Sequence, residues 1–415
     1  MLHRSLARVA ALGLVLVSVS ACERVTYYSI SGGSGNAGGE GPSTSPSTVA
    51  TGPEDVSRAM VLEAVATCAT ALYSDLHTST LALEDATAAL STDPSPKAEA
   101  QAQTAWRNTI SLWQQAELLK LGKAGPTTLP GGEGLRDYIY SWPLVSRCLV
   151  DQALVQEKYD DANFADVGLV NTRGLAAQEY LLFYRAEDNG CSASSSINAQ
   201  GTWDALGSAT RLQRKYDYAH VLSGDLAQKA GQLSDSWSGG FADQLANAGK
   251  GDSPFTSEQL ALNTISDGMF YLEAELKDLK LAKPLGIADT CPEGSCPQDV
   301  ESQYAHISVD HIRDNLLGFQ RIYEGCSQSE DVGFDDLLRT VGAGDLASRM
   351  SADLASAIAT ADALQEKDLI KLISEDKQSA VALHTAVDRL TDTIKTEFIT
   401  VLDLDLPASI EGDND

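Results

Sequence analysis

Residues 105–122 set an acid among apolar side chains. At helical spacing Trp106, Ile110, Trp113, Glu117 and Leu121 fall on one stripe. The Glu117 carboxylate therefore belongs where burial is costly unless a cation, a metal or several donors meet it. Lys120 and Arg107 lie within helical reach as ion-pair partners. A second carboxylate, Glu179, sits in residues 173–183, three positions after Ala176 and so on the same helical face. Two carboxylates alone suit a divalent or ferric ion bound through oxygen, whereas catalytic zinc normally asks for nitrogen. Other chemistries lack their residues: there is no His-Glu-x-x-His, no Gly-x-Ser-x-Gly elbow, and no cysteine beside an evident base. Of six histidines, His306 and His311 are the only close pair. His306 with Asp310 has the spacing of one helix face, and we read it as a solvated or core-satisfied pair rather than a metal site.

The elements that must position these groups are helices. Val61, Val65, Cys68 and Leu72 step by four and three, as do Ile265, Met269, Leu272, Leu276 and Leu279, and Leu383, Val387, Leu390, Ile394, Phe398 and Val401. Val309, Ile312, Leu316, Phe319 and Tyr323 repeat at near-heptad spacing, and prolines fall between such runs. Sustained strand alternation is absent, so the expected fold is all-α. A folded span of this length exceeds what one core usually serves. Two helical-bundle domains are expected, 54–238 and 239–408, divided at the Gly- and Ser-rich stretch around Ser236–Gly240, with an acidic tail at 409–415.

The first residues point to export. His3, Arg4 and Arg8 precede an apolar run from Val9 to Val19, too short to span a bilayer, so 1–21 is expected to be a signal peptide. The run ends in Val19-Ser20-Ala21-Cys22, which resembles the bacterial lipoprotein cleavage site and predicts acylation of Cys22. Two or three acyl chains anchor firmly where one is marginal. Glu23 after the cysteine favours the outer membrane, facing the periplasm or the cell surface. Residues 22–53 are expected to be anchor and tether, since Ser31 to Pro53 is almost wholly Gly, Ser, Thr, Pro and Ala. Such a coil puts the folded part roughly 30 Å from the lipid. Six further cysteines, Cys68, Cys148, Cys191, Cys291, Cys296 and Cys326, suggest disulfides in an exported protein, with Cys291 and Cys296 the local candidate pair. With 58 acidic against 30 basic residues and a net charge of −28, nucleic acid is excluded as a partner.

Residues 173–183 resemble the signature of the imelysin family, Gly-x-His-x-x-Glu, with Gly174 and Glu179 in place and Ala176 at the histidine position. Trp106, Glu117 and Gly122 resemble a second family stretch, in which Ile110 stands where the pattern has arginine. Trp142-Pro143 followed by Asp151, the loop at 280–286, the segment 301–318 and the 411–413 ending resemble further pieces in the family's order. The resemblance implies an exported helical protein with two bundle-like halves and a candidate site between them. It also implies a classification with peptidases and relatives in iron-uptake systems. On that basis Glu117 and Glu179 are expected to share an interhelical cleft serving metal-ion capture, substrate delivery or docking of a periplasmic protein. Ala176 has no donor atom, so the expectation leans away from an enzyme. The alternatives are a metal-dependent peptidase, in which Glu179 holds or polarises a metal-bound water, and a degenerate scaffold whose surface alone matters.

Overall fold

Ser57 opens the first long helix, α1 (Arg58–Thr92), by accepting from the Met60 N–H, and Val61, Val65, Cys68 and Leu72 are buried along one stripe as their spacing predicts. The computed structural model describes residues 55–407 and 410, apart from 289–290, 292–293 and 327–330. The leader, the tether with Cys22 and the 411–413 segment lie outside the described residues. Ser95 caps α2 (Pro96–Ala116), with Pro96 in the first turn where its missing N–H costs nothing. The short helix α3 (Gly174–Phe183) lies against α2 and against α4 (Thr202–Ser236), and α1 runs alongside both α2 and α4. A second group follows: the π-helical segment Leu272–Ala282, α5 (Ser308–Tyr323), α6 (Gly344–Asp362) and α7 (Lys377–Thr393). Here α5 packs on α6, α6 on α7, and α7 on the π-helical segment. The long contact of α5 with α2 joins the two groups and forms the floor on which the candidate site rests. No strand occurs among the described residues, so the fold is all-α as expected.

The glycine- and serine-rich stretch near residue 238, expected as a domain boundary, is not an extended linker. α4 passes directly into a π-helical turn, Trp237–Phe241. Gly240, at φ +131°, absorbs the irregular backbone, while Trp237 packs 5.7 Å from Tyr73 and Phe241 lies 6.1 Å from Phe255, ring centre to ring centre. The glycines serve a buried aromatic turn, which is why their composition resembles a linker without being one. Chain contacts group the described residues into a single compact unit.

Three disulfides staple the helices. Cys291–Cys296 is local, as the spacing suggests, Cys148–Cys191 closes the loop after α3, and Cys68–Cys326 ties α1 to the end of α5 across 258 residues of sequence. The last closes the longest loop and so constrains the unfolded chain most.

Candidate functional site

Gly174 starts α3 at φ +76°, the left-handed region, with its Cα pressed on the preceding chain. A Cβ there would sit 2.8 Å from the Ile139 carbonyl oxygen and 3.0 Å from that of Tyr138. This close approach fixes where the helix enters. The rest of α3 to Leu182 is buried, Ala176 included. Trp106 on α2 donates its indole N–H to the Leu175 carbonyl at 3.0 Å, which holds α3 to α2.

Glu179 is buried and accepts from the backbone N–H groups of Tyr304 at 2.9 Å and Ala305 at 2.8 Å. It thus clamps α3 to the turn that leads into α5. Burial drives its carboxyl up to about 6, against those two donors and the nearby His311 imidazole, which favour the charged form. The folded protein therefore holds this proton more tightly than the unfolded chain, and stability falls as pH rises from the ordinary carboxyl range near 4.5 to about 6. A shift of this size corresponds to about 2 kcal/mol. Denaturant titrations of the parent and Glu179→Gln at pH 4 to 7 are expected to show the parent losing about 2 kcal/mol relative to the variant over that range. A pH-independent difference would show that the carboxyl is not raised.

Glu117 occupies a different corner. It follows the last residue of α2, is buried, and accepts from the indole N–H of Trp113 and from Arg136, whose Nε lies 3.1 Å away. Its cation is neither Lys120 nor Arg107. Lys120 pairs with Glu275 at 2.8 Å and Arg107 turns to the Ala305 carbonyl, because the chain returns after the 122–134 loop and brings Arg136 over the end of α2 instead. Among the described residues no group hydrogen-bonds to both Glu117 and Glu179.

Between these corners lies a buried polar network that sequence spacing does not reveal. Glu301 lies 2.9 Å from the Lys280 ammonium and 3.3 Å from His311 Nδ1, and it accepts from Tyr140 Oη at 2.5 Å and Gln114 Nε2 at 3.1 Å. Lys280 also donates to Gln114 Oε1 at 2.7 Å and Asn315 Oδ1 at 2.8 Å. Burial opposes the charge on Glu301, but Lys280, His311 and the Tyr140 hydroxyl together hold its carboxyl well below the usual range. His311 Nε2, on the far side of the ring, is buried without a hydrogen-bond partner. The ring edges a cavity of about 240 Å³ between α2 and α5, bounded by Arg107, Ser111, Asp310 and Asp314. His306 is separate: it sits in the turn before α5 at φ +58° and pairs with Asp368 at 3.1 Å, so it shares no helix face with Asp310.

The supporting residues are structural. Asp151 is buried and accepts from Tyr180 Oη at 2.6 Å and the Gly190 N–H at 2.7 Å, pinning α3 to the disulfide-closed loop. Trp142, half-buried, stands 5.7 Å from the Lys280 ammonium, ring centre to nitrogen. Arg173, just before Gly174, is fully buried and pairs with Asp225 on α4 at 2.6 Å.

A metal of the kind the signature implies does not fit these residues. Ala176 offers no donor atom, Glu179 serves two backbone N–H groups, and Glu117 serves an indole and a guanidinium that would repel a cation. No group of three or more His, Cys, Asp or Glu side chains among the described residues is placed to hold a metal ion.

The family model described as Peptidase M75, imelysin, matches residues 69–396. The chain belongs to the imelysin family. Solved structures that share the fold include these two. One, described as a putative iron-regulated protein A precursor from Parabacteroides distasonis, is 17% identical, with a TM-score of 0.63 over 84% of this chain and 96% of that one. The other, an imelysin-like protein from Psychrobacter arcticum, is 16% identical, with a TM-score of 0.59 over 85% of this chain and 98% of that one. No curated protein sequence matches. Within the imelysin signature this chain keeps the glycine that seats the helix and the glutamate that clamps it, and it carries Ala176 where the pattern has an imidazole.

Proposed function

We propose that this imelysin is a non-catalytic binding protein of the bacterial cell envelope, with its ligand cleft between α2 and α5. One observation carries the reading: Glu179, the signature carboxylate, is spent on the backbone of residues 304 and 305, and its helical neighbour at 176 is a buried methyl group. A metallopeptidase needs a metal-bound water beside a general base with room for substrate. Here the carboxylate is a clamp, and the nearby cavity is lined instead by Arg107, Ser111, Asp310, His311 and Asp314, a set suited to polar recognition.

Incubating purified full-length protein with unfolded casein, with and without zinc, iron or chelator, tests the reading. No cleavage above a protein-free control is the expected result. Chelator-sensitive cleavage restores the peptidase. Calorimetry with the same ions is expected to show no tight site in the parent. In Ala176→His, a gain in transition-metal affinity would show that other donors converge near Glu179, contrary to the fit described above.

The likeness to a putative iron-regulated protein A precursor supports a link to iron uptake, and Val19-Ser20-Ala21-Cys22 supports a lipid anchor. Fractionating cells grown with and without iron tests both. The parent is expected in the detergent fraction, labelled by palmitate and more abundant under iron limitation, and Cys22→Ala in the soluble fraction. Palmitate label in the variant would sink the anchor, and iron-independent abundance the link.

A further inference from the structure

We propose that a cavity of about 320 Å³ at the start of α4, just past the end of the signature helix, binds a small organic anion: a carboxylate carried on a flat apolar body. Gly207, at φ +70° and ψ 158°, breaks the helix between Trp203 and Arg211, and the Arg211 guanidinium lies 5.1 Å from the Trp203 ring centre. Trp203, Tyr184 and Leu212 make the apolar walls. Charge on the wall runs against that of the chain, with Arg185, Arg211 and Lys215 facing one acid, Glu187.

The three cations differ in what they have left to give. The N–H groups of Arg185 go to Glu99 and to the carbonyls of Leu181, Leu182 and Tyr184, so it contributes charge alone. Lys215 is buried and gives one hydrogen bond, to the Tyr184 carbonyl at 2.9 Å, and otherwise faces the rings of Tyr180 at 4.5 Å and Tyr184 at 5.2 Å. An ammonium has three N–H donors, and rings are weak partners for them beside an oxyanion. Arg211 lies over Trp203, donates to its carbonyl at 3.0 Å and is met by Glu187, whose side chain is 68% exposed. Glu187 thus acts as a tethered stand-in anion that reaches in from solvent, and it can leave once another anion takes its place on Arg211. A ligand carboxylate takes its place on Arg211 and adds Lys215, while its flat body covers Trp203.

Isothermal titration of the full-length protein with benzoate, with benzamide as the neutral isostere and inorganic phosphate as an anion lacking an apolar body, tests this. Saturable benzoate binding at least about tenfold tighter than either comparison compound is expected, a difference of about 1.4 kcal/mol. Arg211→Gln and Lys215→Met are each expected to weaken benzoate by a similar factor, and Glu187→Gln to strengthen it several-fold. Lys215 is buried and its variant can fail to fold; Arg211 and Glu187 are nearer the surface and keep the test decisive. Benzamide binding as well as benzoate, no saturable benzoate binding, or indifference to Arg211→Gln in a variant that melts like the parent overturns the proposal.

Discussion

Lys280→Met is expected to cost about 3–5 kcal/mol, the loss typical of removing one partner of a buried ion pair. The variant leaves Glu301 charged, with neutral donors and His311 but without its ammonium, where both residues are 1% exposed. Glu301→Gln is expected to cost a comparable amount, because the buried ammonium then has only neutral amide oxygens, those of Gln114 and Asn315 among them. The double variant is expected to lose less than the sum of the singles by about 1–3 kcal/mol, since neither charge is then stranded. Denaturant midpoints of all four proteins decide it. Losses near zero, or strict additivity, would show that the pair does not hold the centre. pH adds a second readout. A carboxyl held low in the fold supplies stability that is present above the unfolded carboxyl range and is lost as pH falls through the folded value. In Lys280→Met that protection weakens, and acid unfolding is expected to begin at a higher pH than in the parent.

Gly174→Ala is expected to destabilise by roughly 2–5 kcal/mol, combining the penalty of a left-handed backbone with overpacking. The added methyl meets the carbonyl oxygens of Ile139 and Tyr138 at 2.8 Å and 3.0 Å, and backbone cannot step aside as a flexible side chain can. Because α3 carries Glu179, displacement of the helix also pulls the carboxylate from Tyr304 and Ala305. Amide hydrogen exchange at those two residues is therefore expected to speed up more than exchange in the core of α1. Parent-like exchange and melting would mean that α3 is not seated through this glycine.

The helical class, the buried stripes of α1 and α5, and the family were all legible in the sequence. The reason is that α-helical periodicity, helix caps and motif order are local properties that each segment carries alone. It also placed Glu117 on an apolar stripe and Glu179 on the face of Ala176, and both carboxylates are buried. Tertiary structure decided which donors they meet. Arg136 reaches Glu117 only because a loop returns over the end of α2, and Glu179 finds backbone N–H groups more than a hundred residues away. The clearest limit lies in residues 272–282. Read at 3.6 residues per turn, Leu279 belongs with Leu272 and Leu276 on the inner face. The segment instead winds as a π-helix, with wider turns, and this rephases its faces: Leu279 is left half-buried while Lys277, Lys280 and Leu281 turn inward. A buried lysine at that phase needs an acid from elsewhere, and Glu301 supplies it. Helical register and long-range charge pairing are joint properties of the packed chain, so no reading of one segment could assign the cation and anion at the centre of this protein.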